Sequence, residues 1–387
     1  MSDMTVYEFQ PLWLTLDRVG PFQGSPYEID FTDDQDRPCN VFLLMSENGQ
    51  GKTTVLECFA LLMRQLGTLS PQHFGHEDLD DGKGRVQLDV LTRLFWQGRD
   101  HRIVLSMVAG NLGEETFLKV WDDELLKQYG AQAWHRTGFR QRAPGRLVEI
   151  DRQDDLVQDL RRTLDDSSGL TPGAFANATL SLPTALYFSA YRDIPRLQDA
   201  TERAIIQPEH WAYRTAHEFA PHGTHWTASL DNLLVWLAWL SDGSFEAAVK
   251  TVNETVFDKS PDRFLDTKIR RVPPEAIVHS SEQTHRLDRL SSGEKNLAQL
   301  FLRIGAHSTR NTWVLVDELD VHLHVRWQHK ALNLMKAQVR RHRGTTVIAA
   351  THSVEILEAF PVDIAEPDLI KGGWIIEPGL RSEEIGR

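Results

Sequence analysis

Several features that would place a chain in a special class are missing from this sequence of 387 residues. Its two cysteines, Cys39 and Cys58, are too few for a disulfide framework or a cysteine-rich metal site. No run of about 18 or more apolar residues occurs, and the first residues lack the basic and apolar stretches of a secretory signal. We therefore expect a cytoplasmic location and no membrane partner.

Positive charge is also scarce. The chain has 42 Lys and Arg against 55 Asp and Glu, a net charge of -13, which argues against a surface coated for nucleic acid. Two local basic runs, residues 140–146 and 340–343, leave a nucleic-acid partner open, although a solvated surface is the simpler interpretation. No internal repeat and no sustained heptads occur, so a long coiled coil is excluded.

What is present is the patterning of a globular α/β protein, with 41% hydrophobic residues. In the first third, alternating residues predict hairpins at 12–16 with 27–31 and at 86–95 with 102–108. Between these hairpins, a continuous apolar run at 41–45 predicts a strand buried on both faces, and 54–65 has helical periodicity. An antiparallel β layer should therefore flank the buried strand.

The middle of the chain changes in composition. Residues 122–175 are rich in charge, Gly and Pro and suggest an insertion with one helix at 154–164. A strand follows at 185–190, residues 195–227 are expected to be irregular, and two apolar helices at 230–240 and 245–257 predict a helical subdomain.

The last part is regular. The predicted elements are a hairpin at 276–279 with 285–287, a helix from residue 294, a strand at 313–316, a helix at 325–342, a strand at 345–350, and a short helix followed by a strand near residue 374. Strand, helix, strand in this order predicts parallel pairing.

A glycine-rich loop follows the buried strand at once. Residues 46–53 read Ser-Glu-Asn-Gly-Gln-Gly-Lys-Thr, and a helix comes directly after them. In such a P-loop, backbone amides wrap phosphates at the helix N-terminus, the lysine reaches the β and γ oxygens, and the next hydroxyl binds Mg²⁺. The residues assigned to phosphate contact are Asn48, Gly49, Gln50, Gly51, Lys52, Thr53 and Thr54.

Two points qualify this interpretation of the loop. Ser46 stands where glycine is usual, so some distortion of the loop is expected. A chance glycine turn between a strand and a helix is the alternative interpretation.

Two acids follow the apolar strand at 313–316. A parallel strand presents such residues at its carboxyl end, beside the phosphates. Asp317 is expected to hold Mg²⁺ through water, and Glu318 is expected to orient and deprotonate the attacking water. Two solvated acids at a strand end are the alternative interpretation.

Residues 290–294, Leu-Ser-Ser-Gly-Glu, complete a set that resembles the ABC ATPases in their SMC and RecF form. In that family the signature of one subunit closes on ATP held by the other. The resemblance therefore implies a head-to-tail dimer in which Ser291 and Gly293 touch the γ-phosphate of the partner's ATP. It also implies that His352, after the apolar strand at 345–350, acts as the switch histidine.

The resemblance implies an α/β fold, a P-loop NTPase with an ABC-type head of mixed sheet plus antiparallel β layer and a helical insertion subdomain. We divide the chain into lobe I with the P-loop (1–121), the insertion and helical subdomain (122–288), and lobe II with the signature, both acids and His352 (289–387).

The function implied is ATP binding and hydrolysis, with ATP and Mg²⁺ as cofactors. Residues 319–324 resemble a stretch of compact OLD-like defence ATPases, but the tail after His352 is too short for their nuclease. We therefore expect a stand-alone ATPase that controls a separate effector, a nuclease, in antiphage defence. The alternatives are a RecF-like DNA clamp in repair and, least favoured, a transporter ATPase. A metal site at His322 and His324 is a further hypothesis, although two ligands are few for a metal ion.

Overall fold

The computed structural model describes residues 4–112, 117–143, 146–150, 154–171, 173, 175, 180–194, 203–219, 225–360 and 368–378. The elements of the first half are β1 (Thr5–Asp17), β2 (Tyr27–Asp30), β3 (Val41–Met45), α1 (Lys52–Leu66), α2 (Glu77–Asp80), β4 (Arg85–Trp96), β5 (Arg99–Gly110), α3 (Asp123–Gln128), β6 (Ala133–Ala143), β7 (Arg146–Glu149), α4 (Asp155–Asp166) and β8 (Pro183–Phe188).

The elements of the second half are β9 (Ala216–Phe219), α5 (Leu230–Leu240), α6 (Ser244–Thr255), β10 (Arg263–Leu265), β11 (Arg270–Arg271), β12 (Pro274–Glu275), β13 (Val278–Ser280), β14 (Gln283–His285), α7 (Ser292–His307), β15 (Asn311–Val316), α8 (Val325–Arg341), β16 (Thr346–Thr351), α9 (Val354–Ala359) and β17 (Lys371–Ile375). Short 3-10 turns at Trp226–Ala228 and Leu287–Arg289 precede α5 and α7.

A six-stranded sheet in the order β17-β3-β16-β15-β8-β9 forms the centre of the fold. Each of its described pairings is parallel, as the strand-helix-strand order predicts. Its inner strands are buried on both faces, which explains their continuous apolar runs. The α/β fold class with a P-loop sheet is confirmed.

The second sheet has the order β2-β1-β4-β5-β6-β7 and is the expected β layer. It is antiparallel apart from the parallel pair β5 and β6, so the mixed pairing lies here and not in the central sheet. The pairing of β1 with β2 and of β4 with β5 confirms the two predicted hairpins of the first third.

Helix α1 lies between the two sheets and is buried around most of its circumference, including Cys58. Trp313 of β15, in the central sheet, contacts Phe9 of β1, in the second sheet. Its Nε1 donates to the Phe9 carbonyl at 2.9 Å, and its ring stacks on the Phe9 ring. Helices α5 to α8 cover the opposite face of the central sheet with a second apolar core. The helical subdomain expected at 230–257 is present as α5 and α6.

Residues 122–288 take part in several layers. Strands β6 and β7 extend the antiparallel layer, and β8 and β9 form one end of the central sheet. Strand β9 lies in the stretch 195–227 that was expected to be irregular, and residues 195–202 and 220–224 of that stretch lie outside the described part. The last hairpin, β13 with β14, begins two residues later than expected. The boundaries at 121/122 and 288/289 stay predictions.

No helix in the described part of the chain is long and apolar enough to cross a membrane.

Candidate nucleotide-binding site

Three neighbouring strands of the central sheet end at one edge and deliver the predicted residues there. Ser46 follows β3, Asp317 follows β15 and His352 follows β16. Because β3, β16 and β15 are adjacent and parallel, the three residues lie together at their carboxyl ends. An open cleft of about 870 Å³ lies here, lined by Ser46, Asn48, Glu318 and His352 among others.

The glycines of the P-loop have the backbone conformations that the motif needs. Gly49 has φ 79° and Gly51, which precedes the first residue of α1, has φ 107°. Both values favour glycine over residues that carry a Cβ. A Cβ on Gly51 would also lie 2.6 Å from the Phe22 ring and 2.8 Å from Pro21, whereas a Cβ on Gly49 would meet open space.

Gly51→Ala is therefore expected to destabilise the fold far more than Gly49→Ala. Both substitutions strain a left-handed residue, but only that at Gly51 also overpacks a buried ring. We expect a loss of about 3 kcal/mol of unfolding free energy for Gly51→Ala and about 1 kcal/mol for Gly49→Ala. Urea unfolding of both variants measures the difference. Equal losses would show that the contact with Phe22 and Pro21 is unimportant.

Lys52 is 5% exposed, and its ammonium group is held by the loop itself. Its Nζ donates to the Ser46 carbonyl at 2.9 Å, to the Ser46 hydroxyl at 2.9 Å and to the Glu47 carbonyl at 3.1 Å. Burial lowers the pKa of Lys52, while nearby carboxylates including Asp317 and Glu318 oppose the shift. The serine that replaces the usual glycine thus supplies an acceptor for the lysine.

Thr53 and Asp317, the two residues predicted to bind the cation, are in direct contact. The Thr53 hydroxyl donates to Asp317 Oδ2 at 2.8 Å. Asp317 is 3% exposed, and its Oδ1 has no hydrogen-bond partner among the described residues. A buried carboxylate oxygen without a partner, next to a hydroxyl, is a donor set that suits a hard divalent cation. The residues present therefore fit Mg²⁺.

His352 joins the loop to the end of β16. Its Nδ1 lies 3.0 Å from the Ser46 carbonyl and 3.3 Å from Lys52 Nζ. Since the three hydrogens of Lys52 already have acceptors, we assign the proton to His352 Nδ1, which then donates to Ser46. The His352 amide and the Thr351 hydroxyl both donate to Asp320, which fixes the backbone at this position.

The remaining predicted residues lie around these groups. Glu318 lines the cleft with a left-handed backbone, φ 45°. Asn48 is exposed in the loop, and Thr54 on α1 lies against Gly20 in the turn between β1 and β2. The phosphate contacts assigned to residues 48–54 stay predictions.

The signature residues lie apart from this cleft. Ser291 caps α7 in a capping box with Glu294, and Arg263 donates to the Glu294 carboxylate at 2.8 Å. Ser291 is exposed, and neither it nor Gly293 is among the residues that line the cleft. A Cβ on Gly293 would lie 3.4 Å from Leu323, so this end of α7 packs beside the loop after Glu318.

Arg192 is a residue of this region that the sequence interpretation left without a role. It is 5% exposed, and it donates to the carbonyl of Asp317, to that of Glu318 at 2.6 Å, and to Asn296 Oδ1 at 3.1 Å. Burial lowers the pKa of Arg192 to about 10. Arg192 lies shortly after β8, and β8 is the neighbour of β15, the strand that ends just before Asp317. This position in the sequence was the signal that could have identified the residue.

The hypothesis of a metal site at His322 and His324 finds no third ligand among the described residues. Both side chains are exposed, and the described residues contain no group of three His, Cys, Asp or Glu side chains that could hold a metal.

Known proteins match parts of this chain. Residues 218–358 match the family described as "AAA domain, putative AbiEii toxin, Type IV TA system". Over 134 residues, 32% of the chain, the sequence is 27% identical to the Escherichia coli protein named "Retron Ec83 probable ATPase". The chain spans about a quarter of that relative's length, 24%.

Solved structures similar to the chain include ATPase heads. An SMC head bound to the C-terminal winged-helix domain of ScpA has 14% identity and a TM-score of 0.43, and the match covers 90% of this chain and 91% of that one. A dimeric bacterial ABC transporter cassette has 11% identity and a TM-score of 0.30, covering 89% and 90%. The family match over residues 218–358 and the similarity to the retron ATPase agree with the motifs that the parallel sheet gathers at one edge.

Proposed function

We propose that the chain binds ATP with Mg²⁺, hydrolyses it, and pairs head to tail with a second copy, so that nucleotide state controls a separate effector, a nuclease, in antiphage defence. The observation that carries this proposal is the meeting of Lys52, the Thr53 and Asp317 pair, Glu318 and His352 at one edge of a parallel sheet. Phosphoryl transfer needs this combination of positive charge, cation ligands and a base.

Each residue has one task in the mechanism. Lys52 turns from the loop carbonyls to the phosphate oxygens, which offer it stronger, charge-assisted hydrogen bonds. Thr53 and Asp317 would hold Mg²⁺, which offsets the negative charge of the phosphates when bound. Glu318 accepts a proton from the attacking water, and His352, held in place by Ser46, detects the γ-phosphate.

Pairing of two copies is supported by the position of the signature. The amides that begin α7 form an anion-binding helix end, and Ser291 is exposed there, away from the cleft of its own chain. A second copy placed head to tail brings this helix end to the ATP of the first. Nucleotide binding then sets the geometry of the pair, which is the signal passed to the effector.

A mixture of two inactive variants tests this arrangement. Lys52→Ala disables the P-loop, and Gly293→Asp places a negative charge where the γ-phosphate should approach. If the signature acts in the partner's site, an equimolar mixture regains about a quarter of the wild-type ATPase rate, because half of random pairs are mixed and each mixed pair has one intact site. Phosphate release measures the rate. A mixture no faster than its two components argues that the signature acts elsewhere.

The effector is tested by purifying the chain together with the products of neighbouring genes, in the presence of ATP, ADP or no nucleotide. A nuclease that co-purifies in one nucleotide state supports the proposal, and the absence of a stable complex in every state counts against it. The support for defence is the resemblance to the retron ATPase, which covers a third of this chain.

A further inference from the structure

A second cavity, of about 450 Å³, lies away from the nucleotide cleft. It opens beside β9, the end strand of the central sheet, and is bounded by the last turn of α1 and by α7. Its charged and titratable side chains are Arg64, Glu209, His210, Arg214, His217 and Arg303, with Glu218 at the edge strand. None of them lines the nucleotide cleft, so the two spaces are separate.

Three histidines concentrate here with ring nitrogens that lack partners. His217 and His307 are each 1% exposed, with ring centroids 4.8 Å apart, and the His210 ring is 6.5 Å from that of His217. Both nitrogens of His217, and Nδ1 of His210 and of His307, make no hydrogen bond with any described residue. A buried polar group left in this way costs about 1–3 kcal/mol, so a partner beyond the described residues is expected.

The surrounding charges indicate what that partner is. Burial, together with the charges of His210, Arg214 and Arg303, lowers the pKa of His217 to about 3. Burial also lowers the pKa of Arg303 to about 10. These neutral histidines therefore lie among cations, and only Arg64 among the three arginines has a carboxylate partner, Glu218, within the cavity lining. An entering anion relieves the repulsion, whereas a metal ion would add to it.

Arg303 begins a series of hydrogen bonds that leads from the cavity to the segment containing Asp317 and Glu318. Its Nε donates to Gln299 Oε1 at 2.9 Å, and Gln299 Nε2 donates to the Asp193 carbonyl at 3.0 Å. Asp193 follows Arg192, which holds the carbonyls of Asp317 and Glu318. The cavity thus lies at the far end of the helix that begins with the signature.

We propose that this cavity is a second ligand site, which binds the phosphoryl group of a small anion through Arg214, Arg303 and His217. Arginine guanidinium groups match phosphate oxygens in geometry, and the volume is that of a small-molecule site. The anion offsets the excess of positive charge, three arginines against Glu209 and Glu218, and allows His217 to take up a proton. The proposal does not depend on ATP hydrolysis and goes beyond the nucleotide cleft.

Calorimetric titration of the full chain with inorganic phosphate and, separately, with adenosine monophosphate tests the site. The background is Lys52→Ala, so that the P-loop does not contribute. We expect binding in this background and at least a tenfold loss of affinity when Arg214→Gln is added. Arg214 is exposed, so its replacement should leave the fold intact, and the exposed Arg99→Gln serves as the matched control. Phosphate binding alone identifies a free anion as the ligand, and adenosine monophosphate binding alone identifies a phosphorylated metabolite.

Sulfate provides an independent readout, because it has the shape of phosphate and no proton to exchange near neutral pH. Bound sulfate raises the depressed pKa of His217, so affinity should rise as the pH falls from the pKa of the bound form towards about 3, the value in the free protein. His210 lines the same cavity and His307 packs against the His217 ring, with Arg64, Arg214, Arg303, Glu209 and Glu218 as the fixed charges of the lining. His217→Asn should remove the pH dependence.

Two results would overturn the site. One is the absence of heat with millimolar phosphate and with adenosine monophosphate in the Lys52→Ala background. The other is binding that is unchanged by Arg214→Gln.

Discussion

Glu318→Gln is expected to lower the turnover of ATP at least 100-fold while the affinity for ATP stays within a few-fold of wild type. The carboxylate lines the cleft directly after Asp317, and glutamine keeps its shape but accepts no proton at neutral pH. Because ATP then persists in the cleft, the head-to-tail pair should accumulate. Phosphate release measures turnover, and light scattering with ATP should give twice the mass of one chain.

The matched control is Glu358→Gln, an exposed glutamate on α9 that is not among the residues lining the cleft. It should hydrolyse ATP at the wild-type rate and show no accumulated pair. If Glu318→Gln turns over ATP like this control, Glu318 is not the base, and His352 becomes the first residue to test.

Lys52→Ala should weaken ATP binding by about 100-fold or more, equivalent to about 3 kcal/mol. The substitution removes the ammonium group that donates to the loop carbonyls of Ser46 and Glu47. Without it, the phosphates meet Asp317 and Glu318 with less compensating charge, so repulsion adds to the lost hydrogen bonds. Calorimetric titration with ATP and Mg²⁺ measures the affinity.

A lysine outside the cleft controls for the loss of charge. Lys83 is 66% exposed and pairs with Asp81, so Lys83→Ala should bind ATP as wild type does. Thermal unfolding of both variants separates a local defect from a global one. Near-normal ATP affinity in a folded Lys52→Ala chain would mean that the loop does not hold the phosphates as proposed.

The sequence predicts the centre of the fold well because that information is local. The apolar run at Val41–Met45, the glycines after it and the acids after Asn311–Val316 each depend on a few consecutive residues. Parallel pairing then follows from connectivity, and pairing places Ser46, Asp317 and His352 at one edge. Distances such as that from Thr53 to Asp317 follow from that placement.

Other parts depend on partners far away in sequence. Strand β6 carries several charged side chains, because it lies near the margin of its sheet. Apart from Gly138, nothing in its own sequence indicates that it pairs in parallel with β5. A Cβ on Gly138 would lie 1.9 Å from the Val108 carbonyl, so glycine is required where the strands approach. The histidine cavity is similar, since His217 and His307 meet only after β9 and α7 pack together.

Arg192 has a mechanical consequence for the proposed head-to-tail pair. Through one guanidinium group it joins the carbonyls of Asp317 and Glu318 to Asn296, and Asn296 in turn donates to the Val321 carbonyl at 3.0 Å. The start of α7 is therefore connected by hydrogen bonds to both Asp317 and Glu318 within one chain. In the proposed head-to-tail pair, a displacement of one subunit's residues 291–293 by the partner's ATP would be transmitted to that subunit's own Glu318, so that hydrolysis at the two sites would be coupled.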